Sequence, residues 1–102
     1  MSSPHERARS TYEELKTWPQ YFAAILSGKK TFEYRKNDRD FAIGDTLYLR
    51  EWCPNSKTYT GNAIRCKVSY MLKIGEFEKT KNENVVLGIS DIKLSQYNGV
   101  FL

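Results

Sequence analysis

One stretch decides how this chain folds: Ser27-Gly28-Lys29-Lys30-Thr31-Phe32-Glu33-Tyr34-Arg35-Lys36-Asn37-Asp38-Arg39. It begins where a short helix is expected to end and continues as a predicted β-strand. Because side chains alternate between the two faces of a strand, the pattern predicts that Phe32 and Tyr34 face the core. Glu33 and Arg35 then share the opposite face, and Lys30 lies at its entrance. The stretch therefore predicts a row of opposite charges along one face of a strand.

The segment before this stretch has the pattern of a short amphipathic helix over about residues 18–27. Thr17 and Gln20 have the spacing of a capping box, in which each side chain accepts a hydrogen bond from the backbone N–H of the other residue. Pro19 falls in the first turn, where its missing N–H costs nothing. Gly28 follows the last turn, where a left-handed residue is favoured. The predicted apolar stripe comprises Trp18, Tyr21, Phe22, Ile25 and Leu26. Trp18 and Phe22 are expected in the core.

The distribution of apolar residues, alternating in two segments and continuous in the last, predicts four further strands in the rest of the chain. These strands cover residues 12–16, 46–52, 63–72 and 85–89, the last with an extension to 94. Residues 54–62 are predicted as a hairpin connection and residues 74–84 as a loop. Several strands, one helix and frequent polar turns predict a mainly β fold of the α+β class, a small closed β-barrel with a helix on one side. The residues predicted to face inward along the third of these strands are Ile64, Cys66, Val68, Tyr70 and Leu72.

Length and composition predict one basic domain. The chain has 102 residues, of which 40% are hydrophobic, enough to fill a single core. We predict this domain over residues 12–102, preceded by a disordered tail over residues 1–11 that is polar and lacks apolar periodicity. The net charge of +4 and the pI of about 9.1 favour a polyanionic partner.

Membrane and metal functions find no support in the sequence. No apolar run approaches the ~20 residues of a membrane span, and no apolar signal segment begins the chain, so a cytoplasmic protein is predicted. Cys53 and Cys66 are the only cysteines and do not form a C-x-x-C pair, while His5 is the sole histidine. These residues predict neither a metal site nor a cofactor. Two reduced cysteines are predicted, and a disulfide between them is the alternative.

The deciding stretch also resembles a known signature. Gly28-x-Lys30-x-x-Glu33-x-Arg35 matches the G-x-K-x-x-E-x-R motif of ASCH domains, a branch of the PUA-like small β-barrels associated with RNA. The resemblance covers roughly residues 12–89 and implies a PUA-like topology. It also implies a cleft between helix and barrel that is lined by the three charged motif residues. The segments that look like a small, uncharacterised bacterial and phage family grouped with ASCH are Leu15–Phe22, Lys36–Phe41, Gly44-Asp45 and Leu49–Trp52.

Such a cleft suits RNA or a nucleotide, and a single-stranded ligand in preference to a duplex. Lysine and arginine neutralise phosphate, and a carboxylate accepts hydrogen bonds from a base amino group. Trp18, Tyr21, Trp52 and Tyr59 are the candidates for stacking on unpaired bases. No oligomer is indicated, so a monomer is assumed. The predicted binding residues are Lys16, Lys30, Glu33 and Arg35 in the cleft, with Lys36, Arg39, Arg50 and Trp52 around it.

A purely structural role for the charged motif residues is one alternative. Glu33 and Arg35 would then pair with each other, or with Asp38 and Arg39, and brace the turn that follows the strand. A protein-binding module of a mobile element is another alternative. A solvent-facing hydrophobic C-terminus around Phe101 would favour that function.

An enzyme is the remaining alternative, because some small ASCH proteins are similar to amidohydrolases that deacylate N4-acetylcytidine. Lys30 occupies the position of their lysine, but Glu33 stands where they carry a threonine. Thr31 lies two residues earlier, and Glu76 or Glu83 would have to supply the later acid. A pair of Lys30 and Glu33 acting on water as acid and base is the form that such catalysis would take.

Overall fold

The computed structural model describes residues 12–101, which form one five-stranded sheet and two short helices. The mainly β, α+β class predicted from the sequence is confirmed. The tail predicted to be disordered, residues 1–11, and residue 102 lie outside the described residues. In chain order the elements are β1 (Tyr12–Thr17), α1 (Pro19–Leu26), β2 (Phe32–Lys36), β3 (Thr46–Cys53), β4 (Thr58–Lys73), α2 (Ile74–Glu78) and β5 (Asn84–Gln96).

The sheet is curled, so that its two edge strands approach each other. The strand order is β1-β3-β4-β5-β2, with β1 parallel to β3 and every other pair antiparallel. No backbone ladder joins the edges β1 and β2 within the described chain; guanidinium groups bridge them instead. Arg35 on β2 donates to the carbonyl oxygen of Lys16 on β1, and Arg39 donates to that of Glu14 at 2.9 Å. We call this line of contacts the β1–β2 seam.

The core lies between the inner face of the sheet and helix α1. Phe22 and Ile25 are the buried residues of α1, and the helix contacts β3 and β5. The helix matches its predicted range to within one residue at each end. No helix within residues 12–101 is long and apolar enough to cross a membrane. The buried core residues are Leu15, Phe22, Ile25, Phe41, Leu47, Leu49, Ile64, Cys66, Val68, Val85, Leu87 and Ile89.

The predicted orientation of β2 is wrong. Glu33 is only 3% exposed, whereas Phe32 and Tyr34 are 43% and 53% exposed. Periodicity shows only that the aromatic residues and Glu33 lie on opposite faces of the strand. The aromatic face was expected in the core because a lone carboxylate is costly to bury. In the structure Lys30 and Arg35 both pair with Glu33, and these contacts offset that cost.

The predicted capping box is also wrong. Strand β1 continues through Thr17, whose partner on β3 is Glu51, and the helix N-cap is Trp18 with no side-chain cap bond. Pro19 does occupy the first helical turn, as predicted. Trp18 is 44% exposed and not part of the core, because the cap position lies outside the packed face of α1. The pairing of Thr17 with β3 therefore overrode the local capping signal.

Strand β4 is longer than predicted and contains a bulge. Residues 58–62, expected in the hairpin connection, already belong to it, and the turn is confined to residues 54–57. The register with β5 shifts between Val68 and Tyr70, which reverses the inward-facing residues beyond that point. Tyr70 is consequently exposed, and Met71 packs on the core in place of Leu72. In the predicted loop, the first five residues form helix α2.

The C-terminal aromatic residue is packed against the sheet. The Phe101 ring stacks on Tyr48 with centroids 3.8 Å apart, and it contacts Tyr97 at 4.8 Å and Tyr12 at 5.9 Å. The solvent-facing C-terminus that would have favoured a protein-binding module is therefore not observed around Phe101.

Gly28 sets the angle at which the chain enters the motif strand. Its φ is +83°, and the N–H groups of Lys29 and Lys30 both bond the carbonyl oxygen of Ala24. We expect Gly28→Ala to lower the free energy of unfolding by about 1 kcal/mol, because alanine is strained at this φ. Urea denaturation measures the change. Lys29→Ala, an exposed neighbour without this φ, should stay within ~0.5 kcal/mol of wild type, and equal values for both variants would contradict the prediction.

Candidate ligand-binding cavity

A cavity of about 590 Å³ opens beside the β1–β2 seam. This volume is within the range of about 300–1,000 Å³ that is typical of small-molecule sites. We call it the motif cavity, because every charged residue of the G-x-K-x-x-E-x-R signature lies in its wall. The wall consists of Lys16, Thr17, Trp18, Tyr21, Lys30, Phe32, Glu33, Tyr34 and Arg35.

Three consecutive elements build the wall. The end of β1 contributes Lys16 and Thr17, and the cap and first turns of α1 contribute Trp18 and Tyr21. The helix ends at Leu26, and after the left-handed Gly28 the returning chain brings the four lining residues of β2 to the same place. The cavity is therefore a local product of residues 16–35, which is the part of the chain where the sequence signature lies.

A buried carboxylate holds two cations in the wall. Lys30 Nζ lies 3.0 Å from Glu33 Oε2, and Arg35 Nε lies 3.0 Å from Glu33 Oε1. Arg35 also donates to the Lys16 carbonyl oxygen through Nη2. Glu33 and Arg35 thus pair with each other, as the structural alternative expected. Arg39 pairs with Glu13 at 3.3 Å and does not join them.

Pairing leaves the cavity wall with surplus positive charge and unused donors. Three cationic side chains and one carboxylate line it, a net charge of +2. A lysine ammonium has three N–H donors and a guanidinium has five, so Lys30 and Arg35 retain donors beyond the contacts described above. The wall is therefore suited to a ligand with several acceptor oxygens and negative charge.

Four aromatic side chains surround the same cavity. Trp18, Tyr21, Phe32 and Tyr34 are each more than two fifths exposed, so their rings are accessible. Lys30 Nζ lies 5.0 Å from the Phe32 ring centroid and 5.4 Å from that of Tyr21. Trp18 and Tyr21 were predicted as stacking residues; Phe32 and Tyr34 were missed because the alternation placed them in the core.

The structure brings together half of the predicted binding residues. Lys16, Lys30, Glu33 and Arg35 line the motif cavity. The others do not line it. Lys36 pairs with Glu83 at 3.5 Å, and Arg39 lies in the seam. Arg50 Cζ lies 3.9 Å from the ring centroid of Tyr59 and 4.1 Å from that of Tyr97. The ring of Trp52 lies under Lys16 Nζ, with 4.1 Å between its centroid and that nitrogen.

The acid suggested for an amidohydrolase is not at the cavity. Glu76 and Glu83 border a separate hollow of about 600 Å³ near α2, and neither lines the cavity that contains Lys30. Thr31 is exposed and is not in the cavity wall. The threonine that does line it is Thr17, which the sequence assigned to a helix cap. Its place on the inner face of β1 could have been read from the alternation with Leu15.

The two cysteines are free and lie in different environments. Cys66 is a core residue, as predicted, and burial raises the pKa of its thiol to about 12. Hydrogen bonds from Ser56 and Asn55 in the β3–β4 turn lower the pKa of the Cys53 thiol. Within residues 12–101 no group of three histidine, cysteine or acidic side chains is arranged to hold a metal ion.

Fold and cavity define a small α+β domain in which a curled sheet and one packed helix enclose a cationic hollow. The chain belongs to the family described as a domain of unknown function, DUF3850, whose model matches residues 12–89. That match includes the whole wall of the motif cavity. The chain is also similar to the uncharacterised 12.9 kDa protein in the GpA 3′ region of Escherichia phage P2. The two are 34% identical over 64 residues, which is 63% of this chain and 57% of the phage protein.

Proposed function

We propose that this domain binds single-stranded RNA, or a nucleotide, in the motif cavity. The observation that carries the proposal is the combination of surplus cationic donors and four accessible aromatic rings around one hollow. Phosphate needs the first feature and an unpaired base needs the second. The resemblance of Gly28-x-Lys30-x-x-Glu33-x-Arg35 to the ASCH motif supports RNA among the possible polyanions, and a PUA-like relationship of the domain is part of the proposal.

Phosphate recognition is assigned to Lys16, Lys30 and Arg35. The guanidinium of Arg35 is planar and fixed at two points, Glu33 and the Lys16 carbonyl oxygen, so little side-chain freedom is left to lose on binding. Glu33 holds Lys30 in the same way. The buried carboxylate therefore acts as a positioning group for two phosphate-binding cations.

Base recognition is assigned to the aromatic rings around the cavity. Stacking of a base on an aromatic side chain contributes about 1–3 kcal/mol and tolerates every base. A duplex keeps its bases stacked within the helix, so only a single strand can present them to Trp18, Tyr21, Phe32 or Tyr34. The overall charge of +4 adds a favourable long-range attraction for the backbone.

We expect Lys30→Ala to weaken binding of a fluorescein-labelled single-stranded RNA about tenfold at low salt, a loss of about 1.4 kcal/mol. The magnitude of the slope of log affinity against log salt should fall by about 0.7, since one phosphate contact is lost. Fluorescence anisotropy at several salt concentrations measures both quantities.

Lys93→Ala is the matched control, because it removes the same charge from an exposed position outside the cavity wall. Equal losses in the two variants would show that general charge, and not the cavity, determines affinity. Failure of the wild-type protein to bind the RNA even at low salt would overturn the proposed function. Labelled DNA of the same sequence and an RNA duplex, measured in parallel, define which nucleic acid is preferred.

A further inference from the structure

Thr17 has an unusual hydroxyl. The residue is 3% exposed. Among the buried side-chain nitrogen and oxygen atoms of residues 12–101, Thr17 Oγ1 is the one that has no hydrogen-bond partner. More than about nine in ten buried polar groups in proteins are paired, and an unpaired one costs roughly 1–3 kcal/mol. A valine would fill the same space without that cost, so folding alone does not explain a threonine at this position.

No neighbouring group in the described part of the fold pairs with the Thr17 hydroxyl. The Thr17 backbone pairs with Glu51 on β3, and the adjacent Lys16 carbonyl oxygen is occupied by Arg35. The helix cap is one residue later, at Trp18, and has no side-chain bond. Thr17 nevertheless lies in the wall of the motif cavity. The unused hydroxyl and the hollow that receives the proposed ligand are therefore at the same place.

The chemistry of this hydroxyl differs from that of the other polar groups in the wall. Lys16, Lys30 and Arg35 are cationic donors and suit phosphate, whereas a hydroxyl is uncharged and both donates and accepts. An uncharged group that is nine-tenths buried suits an uncharged part of the ligand. The next residue, Trp18, places an accessible aromatic ring in the same wall, which suits a heterocyclic base in preference to a sugar.

We propose that Thr17 is the base-contacting residue of the motif cavity, forming a hydrogen bond with the edge of an RNA base whose phosphate is held by Lys30 and Arg35. This inference rests on the proposed function. A change of Thr17 from one staggered χ1 rotamer to another moves the hydroxyl without moving the strand. The base edge then supplies the hydrogen-bond partner that the Thr17 hydroxyl lacks among the described residues of the free protein.

The test compares two RNA-like probes of about eight units, a labelled single-stranded RNA and an abasic oligomer with the same sugar–phosphate backbone. Thr17→Val should weaken binding of the RNA about tenfold, the effect of one lost buried hydrogen bond, and leave binding of the abasic oligomer unchanged. Thr17→Ser keeps the hydroxyl and should bind the RNA within about threefold of wild type.

Thermal unfolding of the free protein gives a second readout, the midpoint temperature of Thr17→Val. A structural role of the Thr17 hydroxyl and a role in ligand binding predict opposite changes in this temperature. Thr17→Val removes an unpaired buried hydroxyl, so its midpoint temperature should rise by about 4 °C. A hydroxyl needed for the fold would make the same variant less stable. Weaker RNA binding together with higher stability is the expected combination.

Three outcomes would overturn the assignment of Thr17. These are unchanged RNA binding by Thr17→Val, equal weakening for RNA and abasic oligomer, and a lower midpoint temperature in that variant. Each of them leaves RNA binding by the wild-type protein intact. Absence of binding by the wild-type protein to either probe is a different result, because it removes the proposed function and this inference with it.

Discussion

Replacing Arg35 by alanine is expected to lower the free energy of unfolding by about 2–3 kcal/mol. Arg35 is one of two cations paired with Glu33, a carboxylate that is 3% exposed, and it also donates to β1 across the seam. Without it, one carboxylate oxygen loses the partner that replaced its hydration. Lys30 remains paired with the other oxygen, which keeps the expected loss below that of an isolated buried charge.

Urea denaturation followed by circular dichroism measures this change. Arg39→Ala is the matched control, because Arg39 also donates to a β1 carbonyl oxygen but pairs with the carboxylates of Glu13 and Asp38 rather than with Glu33. It should cost less than about 1 kcal/mol, as is usual for partly exposed ion pairs. A cost for Arg35→Ala as small as that of the control would mean that Glu33 does not depend on the guanidinium.

The second large effect concerns the cysteines. At pH 8, iodoacetamide is expected to modify Cys53 about 1,000-fold faster than Cys66, because the thiolate is the reactive form. With a pKa of about 12, only about one Cys66 thiol in 10,000 is ionised at this pH. The pKa of the Cys53 thiol lies below its ordinary value, so a much larger fraction of this thiol is ionised at pH 8. Burial of Cys66 slows its reaction further.

Mass spectrometry of peptides from the alkylated protein identifies which thiol has reacted. In denaturant both thiols should react at similar rates, since the environments that separate their pKa values are lost. One modified thiol in the native protein and two in the unfolded protein are the expected counts. No alkylation in either state would indicate the disulfide that the sequence left open, and equal native rates would contradict the burial of Cys66.

Local signals in the sequence were sufficient to predict most elements of the fold. The end of α1 shortly before Gly28, the strand that follows and the apolar strands 46–52 and 85–89 all depend on neighbouring residues. Lys16, Lys30, Glu33 and Arg35 do line one cavity. Their grouping was expected from the motif resemblance, because the spacing of residues along a chain does not itself reveal a hollow.

The errors arose where side-chain pairing or a partner strand decides between local options. Glu33 is buried because Arg35 and Lys30 pair with it, which periodicity cannot reveal. Tyr70 is exposed because of a bulge opposite β5, and this bulge depends on a partner strand. Thr17 is fixed by β3, so a capping signal was misleading. Two of these errors, the reversed faces of β2 and the misplaced helix cap, hid part of the cavity wall.

The β1–β2 seam also has a consequence for self-association. The free edge of β1 would expose unpaired carbonyl oxygens to which a strand from another molecule could add. Two of them, at Glu14 and Lys16, already accept hydrogen bonds from guanidinium groups. Because arginine side chains of the same chain already occupy these carbonyl oxygens, the edge of β1 is less able to pair with a strand of another molecule. Arg35 therefore both pairs with the buried carboxylate of Glu33 and covers part of the β1 edge.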